Sequence, residues 1–343
     1  MSESTPTATV SNEAPAPEKF PTRVFLTGAT GFVGRAVLRE LIAKGHQVVC
    51  LARDRQRLGK ILSEAPAGRI ETVKGDLFDS AVADGVKGAD AVVHLVGIIV
   101  ESKLRGQTFR RVHVEGTQRV IEAAQAAGVK RYVHMSALGT RPNAVSEYHR
   151  TKWAAENIVR ASGLDWTIFR PSLIHGPGGE FMNMMKTFVC DAAVPVLGFI
   201  PAPFPVIPYF GSGEAKLQPV SVKDVAHCFA AAVSSPETIG KVLELGGPQT
   251  CTWKEFYKIC QELIPCAKPW KRLAGVPVPV AKVLAHTFMR LPLLPKALRY
   301  DVGQVIMSQE DSVCDARPAE EAFGIKMRDF RTELAAYAEQ IGQ

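Results

Sequence analysis

The chain has 343 residues, of which 46% are hydrophobic, 22% charged and 8% aromatic. That balance excludes a fibrous or wholly disordered protein and leaves room for a sizeable core with a smaller lobe beside it. The net charge of +7 is spread along the chain without a long basic run. It points to a phosphate-bearing ligand or an anionic surface and gives no basis for nucleic-acid binding.

Residues 1–19 are rich in Pro, Ser, Thr and Glu, with no basic and apolar signal pattern, and are expected to form a flexible tail. Near Phe20 the texture changes. The run "RVFLTG" reads as a buried strand, and "LTGATGFVG" follows it, with Gly28, Gly31 and Gly34 three apart before an amphipathic stretch, Val33–Lys44. Without Cβ atoms a backbone can turn tightly, approach a pyrophosphate and bring the next helix close to the sheet. The free amides of the helix N-terminus then favour an anion. Gly28, Thr30, Gly31, Phe32, Val33 and Gly34 are therefore the residues expected around a dinucleotide.

A second strand, "HQVVCLA", ends in Arg53, with Arg55 and Arg57 close behind. A guanidinium there favours a ribose 2′-phosphate, so NADP(H) is preferred over NAD(H). The alternative is that Asp54 turns inward and the arginines are only solvated. The third strand, "IETVKGD", delivers Asp76 and Leu77 to the adenine side. The fourth, "ADAVVHLVG", brings Val96 and Gly97 to the middle of the coenzyme, with His94 read as a satisfied core histidine. After a helical stretch, Phe109–Ala127, the strand "KRYVHMSA" carries Ser136 to the same edge of the sheet.

Tyr148 and Lys152 in "YHRTK" stand four apart at the head of a helix expected over Tyr148–Ser162, so both project from one face. An ammonium beside a phenol stabilises the phenolate and lowers its pKa, making the tyrosine a usable proton donor or acceptor. A sixth strand, "DWTIFRPS", completes the alternation, and strands apolar on successive residues suit a parallel sheet covered on both faces. The expected architecture is a Rossmann-type doubly wound α/β unit over residues 20–172, completed by 218–250. Residues 173–217 and 251–343 would form a smaller substrate-side lobe.

Between Ala192 and Gly213 no charge occurs, but five prolines argue against a membrane span and for a buried or surface-docking loop. Phe181, Met182, Met184 and Met185 read as apolar packing, as do Trp253, Phe256 and Tyr257. The seven cysteines form no CxxC pair and no metal-ligand spacing, so no metal is expected. They read as reduced thiols in a cytoplasmic compartment.

Taken together, the glycine loop, Ser136, Tyr148 and Lys152 resemble an extended or atypical short-chain dehydrogenase/reductase of the NAD-dependent epimerase/dehydratase type, over roughly residues 23–247. "TIFRPSLIHGPG" and "LQPVSVKDVA" extend the likeness. The stretches "IPAPFPVIPYFGSGEAKLQPVSVKDVA" and "DVGQVIMSQEDSVCD" look most like the branch that contains the NADPH-binding accessory subunit of respiratory complex I and its bacterial relatives. The resemblance implies that Lys152 bonds the nicotinamide ribose and tunes Tyr148. Tyr148 would exchange a proton with a substrate hydroxyl or carbonyl, and Ser136 would hold that oxygen. It also places Arg170, Pro171 and Ser172 beside the nicotinamide.

His113 stands where relatives often carry Asn. The implied functions are an NADP(H)-dependent oxidoreductase or epimerase with an unidentified, fairly apolar substrate, or a non-catalytic coenzyme-binding structural or assembly protein. The second reading brings peripheral contact with a respiratory complex or the inner face of a membrane, motivated also by the apolar, basic-flanked stretch Val276–Arg299. A redox-sensing regulator is a third class, although such proteins commonly lose the Tyr/Lys pair.

Overall fold

The computed structural model describes residues 23–190, 194–196, 200–202, 206–287 and 300–341. The expected tail lies outside them, as do residues 288–299 of the apolar C-terminal stretch. Six strands, β1 (Arg23–Thr27), β2 (Gln47–Ala52), β3 (Ile70–Lys74), β4 (Ala91–His94), β5 (Arg131–Met135) and β6 (Asp165–Pro171), join the edge strand Lys241–Leu245 in one sheet. Its order is Lys241–Leu245, β6, β5, β4, β1, β2, β3, and every pairing is parallel. In β1, Leu26 stands opposite Cys50 of β2 and Val93 of β4. The chain direction therefore turns outward from β1 on both sides, and the crevice at the carboxyl ends of β1 and β4 is the place where such sheets bind ligands.

Alternation along β1 shows why both faces must be covered. Val24 and Leu26 face a core with Val37, Leu38 and Leu41 of α1 (Phe32–Ala43) and with Val225 and Phe229 of the helix Val222–Ala232. Phe25, between them, faces the opposite core, with Val86, Val120, Ile121 and Val159. Those come from the helices α2 (Ala81–Val86), α3 (Gly116–Ala126) and α4 (Glu147–Ala161). The expected helix over Phe109–Ala127 is divided: a π-helical stretch, Arg110–Glu115, leads into α3.

A second cluster gathers Met182, Met185, Phe256, Tyr257, Phe330 and Leu334, so the methionines and the Phe256–Tyr257 pair are core, with Phe181, Met184 and Trp253 packed against it. Two expectations need correction here. The charge-free stretch is not all loop. Val194–Val196 pairs with Ile200–Ala202, and Val206–Phe210 pairs in parallel with Arg272–Val276, because a proline on a two-stranded edge leaves no interior ladder bond unmade. Nor are all cysteines thiols: Cys190 and Cys266, 76 residues apart, are disulfide-bonded with Cα atoms 5.2 Å apart. No local spacing announces this pair, because the fold alone brings the end of one helix to the loop after another. Cysteine chemistry therefore no longer argues for a reducing compartment. Among the described residues, no helix is long and apolar enough to cross a membrane.

Beneath α4 lies a buried charge cluster. Glu156 is fully buried and accepts two hydrogen bonds from Arg170 at 2.8 Å each, one from Arg160 at 2.7 Å and one from Ser136 at 2.6 Å. Such a carboxylate is tolerable in the interior only because its lone pairs are all claimed. Replacing it would strand Arg170, itself mostly buried. Glu156→Ala should therefore lower the free energy of unfolding by about 3–5 kcal/mol, read from denaturant midpoints. A loss below about 1 kcal/mol would show that the cluster is not needed for stability.

Candidate active site

The turn after β1 is built on contact. Gly28 has φ +80°, and a Cβ there would meet Leu95 and the Val96 amide at 3.2 Å. A Cβ on Gly34 would overlap the Gly28 carbonyl oxygen, so only glycine lets α1 start this close to the strand that feeds it. Gly31 caps α1 with extended backbone and no side-chain hydrogen bond. The first-turn amides of Phe32, Val33 and Gly34 are thus left for an external acceptor, which is what a diphosphate requires. Thr30 lends its carbonyl to Arg35 at 3.2 Å, and the Phe32 ring reaches over to the loop at Gly176 and Gly179. These residues fit a dinucleotide.

Around the adenosine end, Arg53 is exposed at the exit of β2. Asp54 does not turn inward: its carboxylate accepts the Gln56 amide at 3.0 Å and caps the short helix Arg55–Leu58. Asp76 is exposed and binds the Phe78 amide at 2.8 Å, while Leu77 is buried against Gly116. His94 is the core histidine expected, bonded to Thr27 at 2.7 Å and Thr117 at 3.3 Å, with burial pushing it down to about 3.

Beyond β4 the remaining groups converge. Lys152 is 4% exposed and donates to the Met135 carbonyl at 3.0 Å. Its Nζ would lie 3.1 Å from a Cβ on Gly97, so the glycine at the exit of β4 makes room for the ammonium. Burial brings Lys152 down to about 8, with Glu156 one turn further along α4 opposing the fall. Tyr148, one turn before, packs edge-on to His113 at 5.4 Å and to Phe109 at 5.8 Å between ring centroids. Its phenol is not lowered as the sequence suggested. Burial pushes it up to about 12, because the phenolate would lose its hydration among the surrounding rings.

Three other expected sites hold residues with partners inside the protein. Ser136 is buried and gives its hydroxyl to Glu156 at 2.6 Å. Arg170 is paired with Glu156 at 2.8 Å and reaches Glu244 at 3.6 Å. Pro171 and Ser172 do lie at the exit of β6, but the Ser172 hydroxyl donates to the Ser312 carbonyl at 3.1 Å. Sequence reasoning missed Glu156 altogether. Its signal was the ladder Lys152, Glu156, Arg160 at four-residue spacing, which marks one charged helix face.

Against known proteins, residues 28–184 match the family model described as NAD(P)H-binding. The chain is 31% identical over 292 residues to the "NADH dehydrogenase [ubiquinone] 1 alpha subcomplex subunit 9, mitochondrial" of Arabidopsis thaliana, covering 81% of this chain and 67% of that one. It is 35% identical over 176 residues to a ceramide reductase of Caulobacter vibrioides, covering 51% of this chain and about half, 53%, of that protein. Among solved structures, DesIV, a dTDP-glucose 4,6-dehydratase from Streptomyces venezuelae with NAD bound, superposes with a TM-score of 0.67 at 20% identity. That match covers 93% of this chain and 96% of the other, and it supports the fold alone. The chain therefore belongs to the family of the NADH dehydrogenase 1 alpha subcomplex subunit 9 proteins, and carries the NAD(P)H-binding match over residues 28–184.

Proposed function

We propose that this protein is an NADP(H)-dependent oxidoreductase acting on a carbonyl or hydroxyl of a fairly apolar small molecule. The observation that carries the reading is Lys152, buried and charged one turn after Tyr148, pressed against Gly97 where the exit of β4 meets the glycine turn. A buried ammonium in such a place is costly unless it has work to do on a ligand. When bound, the nicotinamide supplies or takes the hydride. Lys152 orients the ribose and holds positive charge beside the phenol. Tyr148, a firmly protonated phenol near neutral pH, gives its proton to the substrate oxygen as a carbonyl is reduced.

With the Ser136 hydroxyl committed to Glu156, the tyrosine carries the proton chemistry without a serine partner. Exposed Ile99 and Val100 at the exit of β4, and Val145 just before α4, give the mouth an apolar rim that suits a fairly apolar substrate. The name of the Caulobacter relative, a ceramide reductase, is of the same class. For the coenzyme, the exposed Arg53 with Arg55 and Arg57 behind it, and Asp54 spent on its own helix cap, favour a 2′-phosphate.

A second reading rests on a different surface. The helix Val278–Thr287 leaves Val280 and Val283 exposed, one turn apart, and Trp270 is exposed in the same lobe. Together with the Arabidopsis relative's place as a complex I subunit, this favours a coenzyme-holding protein attached to a respiratory complex at a membrane. In that case the coenzyme orders the fold and is not consumed.

Mixing the purified protein with NADPH and a panel of carbonyl compounds, long-chain ketones included, should give coenzyme oxidation that falls at least about 100-fold in Tyr148→Phe. Tight NADPH binding with no turnover in wild type would instead select the attached, non-catalytic role. Arg53→Ala should cut NADPH affinity roughly tenfold or more and leave NADH affinity within about threefold; equal losses for both coenzymes would refute the phosphate assignment. Since Lys152 sits near 8, its ammonium is present below that pH and lost above it. The rate of reduction should accordingly decline as pH rises from about 7 to about 9, with the alkaline limb absent in Lys152→Met.

A further inference from the structure

We infer that residues 308–315 form a strap across the substrate mouth, latched by the ion pair of Glu310 with Arg141, and that a substrate too bulky for the closed mouth enters when this pair parts. The inference rests on the reduction at Tyr148 proposed above and names what sorts substrates by size in front of it. The strap leads from the helix Val302–Met307 to the helix Arg317–Phe323. Along one edge it is held by backbone amides. That of Ser312 donates to the Lys216 carbonyl at 2.7 Å, that of Lys216 to the Asp311 carboxylate at 2.8 Å, and that of Cys314 to the Gln218 side chain at 2.7 Å.

Along the other edge, side chains hold the strap to the exits of β5 and β6. Arg141, in the loop between β5 and α4, meets Glu310 at 2.8 Å, and the Ser172 hydroxyl donates to the Ser312 carbonyl at 3.1 Å. The loop bearing Arg141 is itself fastened to β6, since the Leu138 amide donates to the Pro171 carbonyl at 2.9 Å. Arg141 also donates to the Gly139 carbonyl at 3.0 Å, and a Cβ on Gly139 would lie 3.2 Å from the His149 ring. His149 adjoins Tyr148, with ring centroids 5.2 Å apart. Both ends of the latch reach that ring: burial lowers His149, Glu310 opposes the fall and Arg141 adds to it. The ion pair therefore lies beside the way in to the phenol, which is desolvated in this form of the protein.

The two edges differ in strength. The side chains of Arg141 and Glu310 are 44% and 26% exposed, and an ion pair so open to water is weak and screened by salt. The amide hydrogen bonds of the opposite edge are not lost to salt in that way. An incoming group that pushes between the lips frees the Arg141 edge first and turns the strap about residues 216–218. Each lip also offers an exposed apolar side chain, Val145 from the loop before α4 and Val313 from the strap, which suits an alkyl or ring substituent on the substrate.

Arg141→Glu faces Glu310 with a like charge, and combining it with Glu310→Arg restores the pair in reverse. Stopped-flow mixing of the protein–NADP⁺ complex with a pyrene-labelled long-chain ketone reads entry without turnover, because the oxidised coenzyme has no hydride to give. The association rate constant should rise about fivefold in Arg141→Glu and return to within about twofold of wild type in the double variant. In wild type it should also rise as NaCl goes from about 0.05 M to about 0.5 M, a dependence absent in Glu310→Gln. Cyclohexanone, small enough for the closed mouth, should compete with the same affinity in all of these proteins. Equal association rates in wild type and Arg141→Glu, a double variant as fast as the single, a wild-type rate indifferent to salt, or a cyclohexanone affinity that moves with the variants would overturn the latch and leave the reductase reading in place. Binding of neither ketone to the NADP⁺ complex would instead remove the substrate reading, and the role of the strap with it.

Discussion

The molecule depends on a close approach of backbone to backbone, where α1 begins so near the end of β1 that position 34 has no space for a side chain beyond hydrogen. From that contact the rest follows in order. Helix α1 lies flat enough for Val37, Leu38 and Leu41 to seal one face of the sheet, and its uncapped first turn faces the crevice at the carboxyl edge. The same turn presses Gly28 onto Leu95 and Val96, which sets where β4 releases its chain. Gly97 comes next, and its bare backbone is what lets the Lys152 ammonium settle between strand and helix. A steric constraint among atoms of the main chain is thus passed on to the location of a charge about 120 residues away.

The electrostatics of α4 show the cost of placing that charge. Burial drives Lys152 towards neutrality, and the carboxylate of Glu156 one turn away resists it. Glu156 in turn is held by two arginines and a serine hydroxyl, so the helix carries alternating charges inward as well as outward. Ser136 is recruited into this cluster through its hydroxyl. The tyrosine is left among aromatic rings, with its proton firmly attached.

Much of this was legible in the residues. The period-two burial of β1, the glycine spacing and the Tyr148/Lys152 pair each follow from local rules, and they led to the parallel sheet and to its ligand-binding edge. What local rules could not reach was direction. Ser136 ends a strand at the right edge, yet whether its hydroxyl faces the crevice or the helix behind is decided by a carboxylate twenty residues later. The Cys190–Cys266 bridge and the strand Val206–Phe210 were hidden for the same reason, since each exists only through a partner more than sixty residues away. Nothing local in the sequence brings His113 to Ile98; the π-helical stretch Arg110–Glu115 does.

The C-terminal segment returns to close the core that the first strand opens. Ala319 and Met327 lie in the same cluster as Val24 and Leu26, and Arg328 is tied by its backbone amide to the buried carboxylate of Asp224 at 2.8 Å. During synthesis on the ribosome, β1 emerges roughly 300 residues before the side chains that finish covering its face. Until then one side of the sheet stays incomplete and sticky, a long wait that invites chaperone attendance and makes late truncation far more damaging than early trimming.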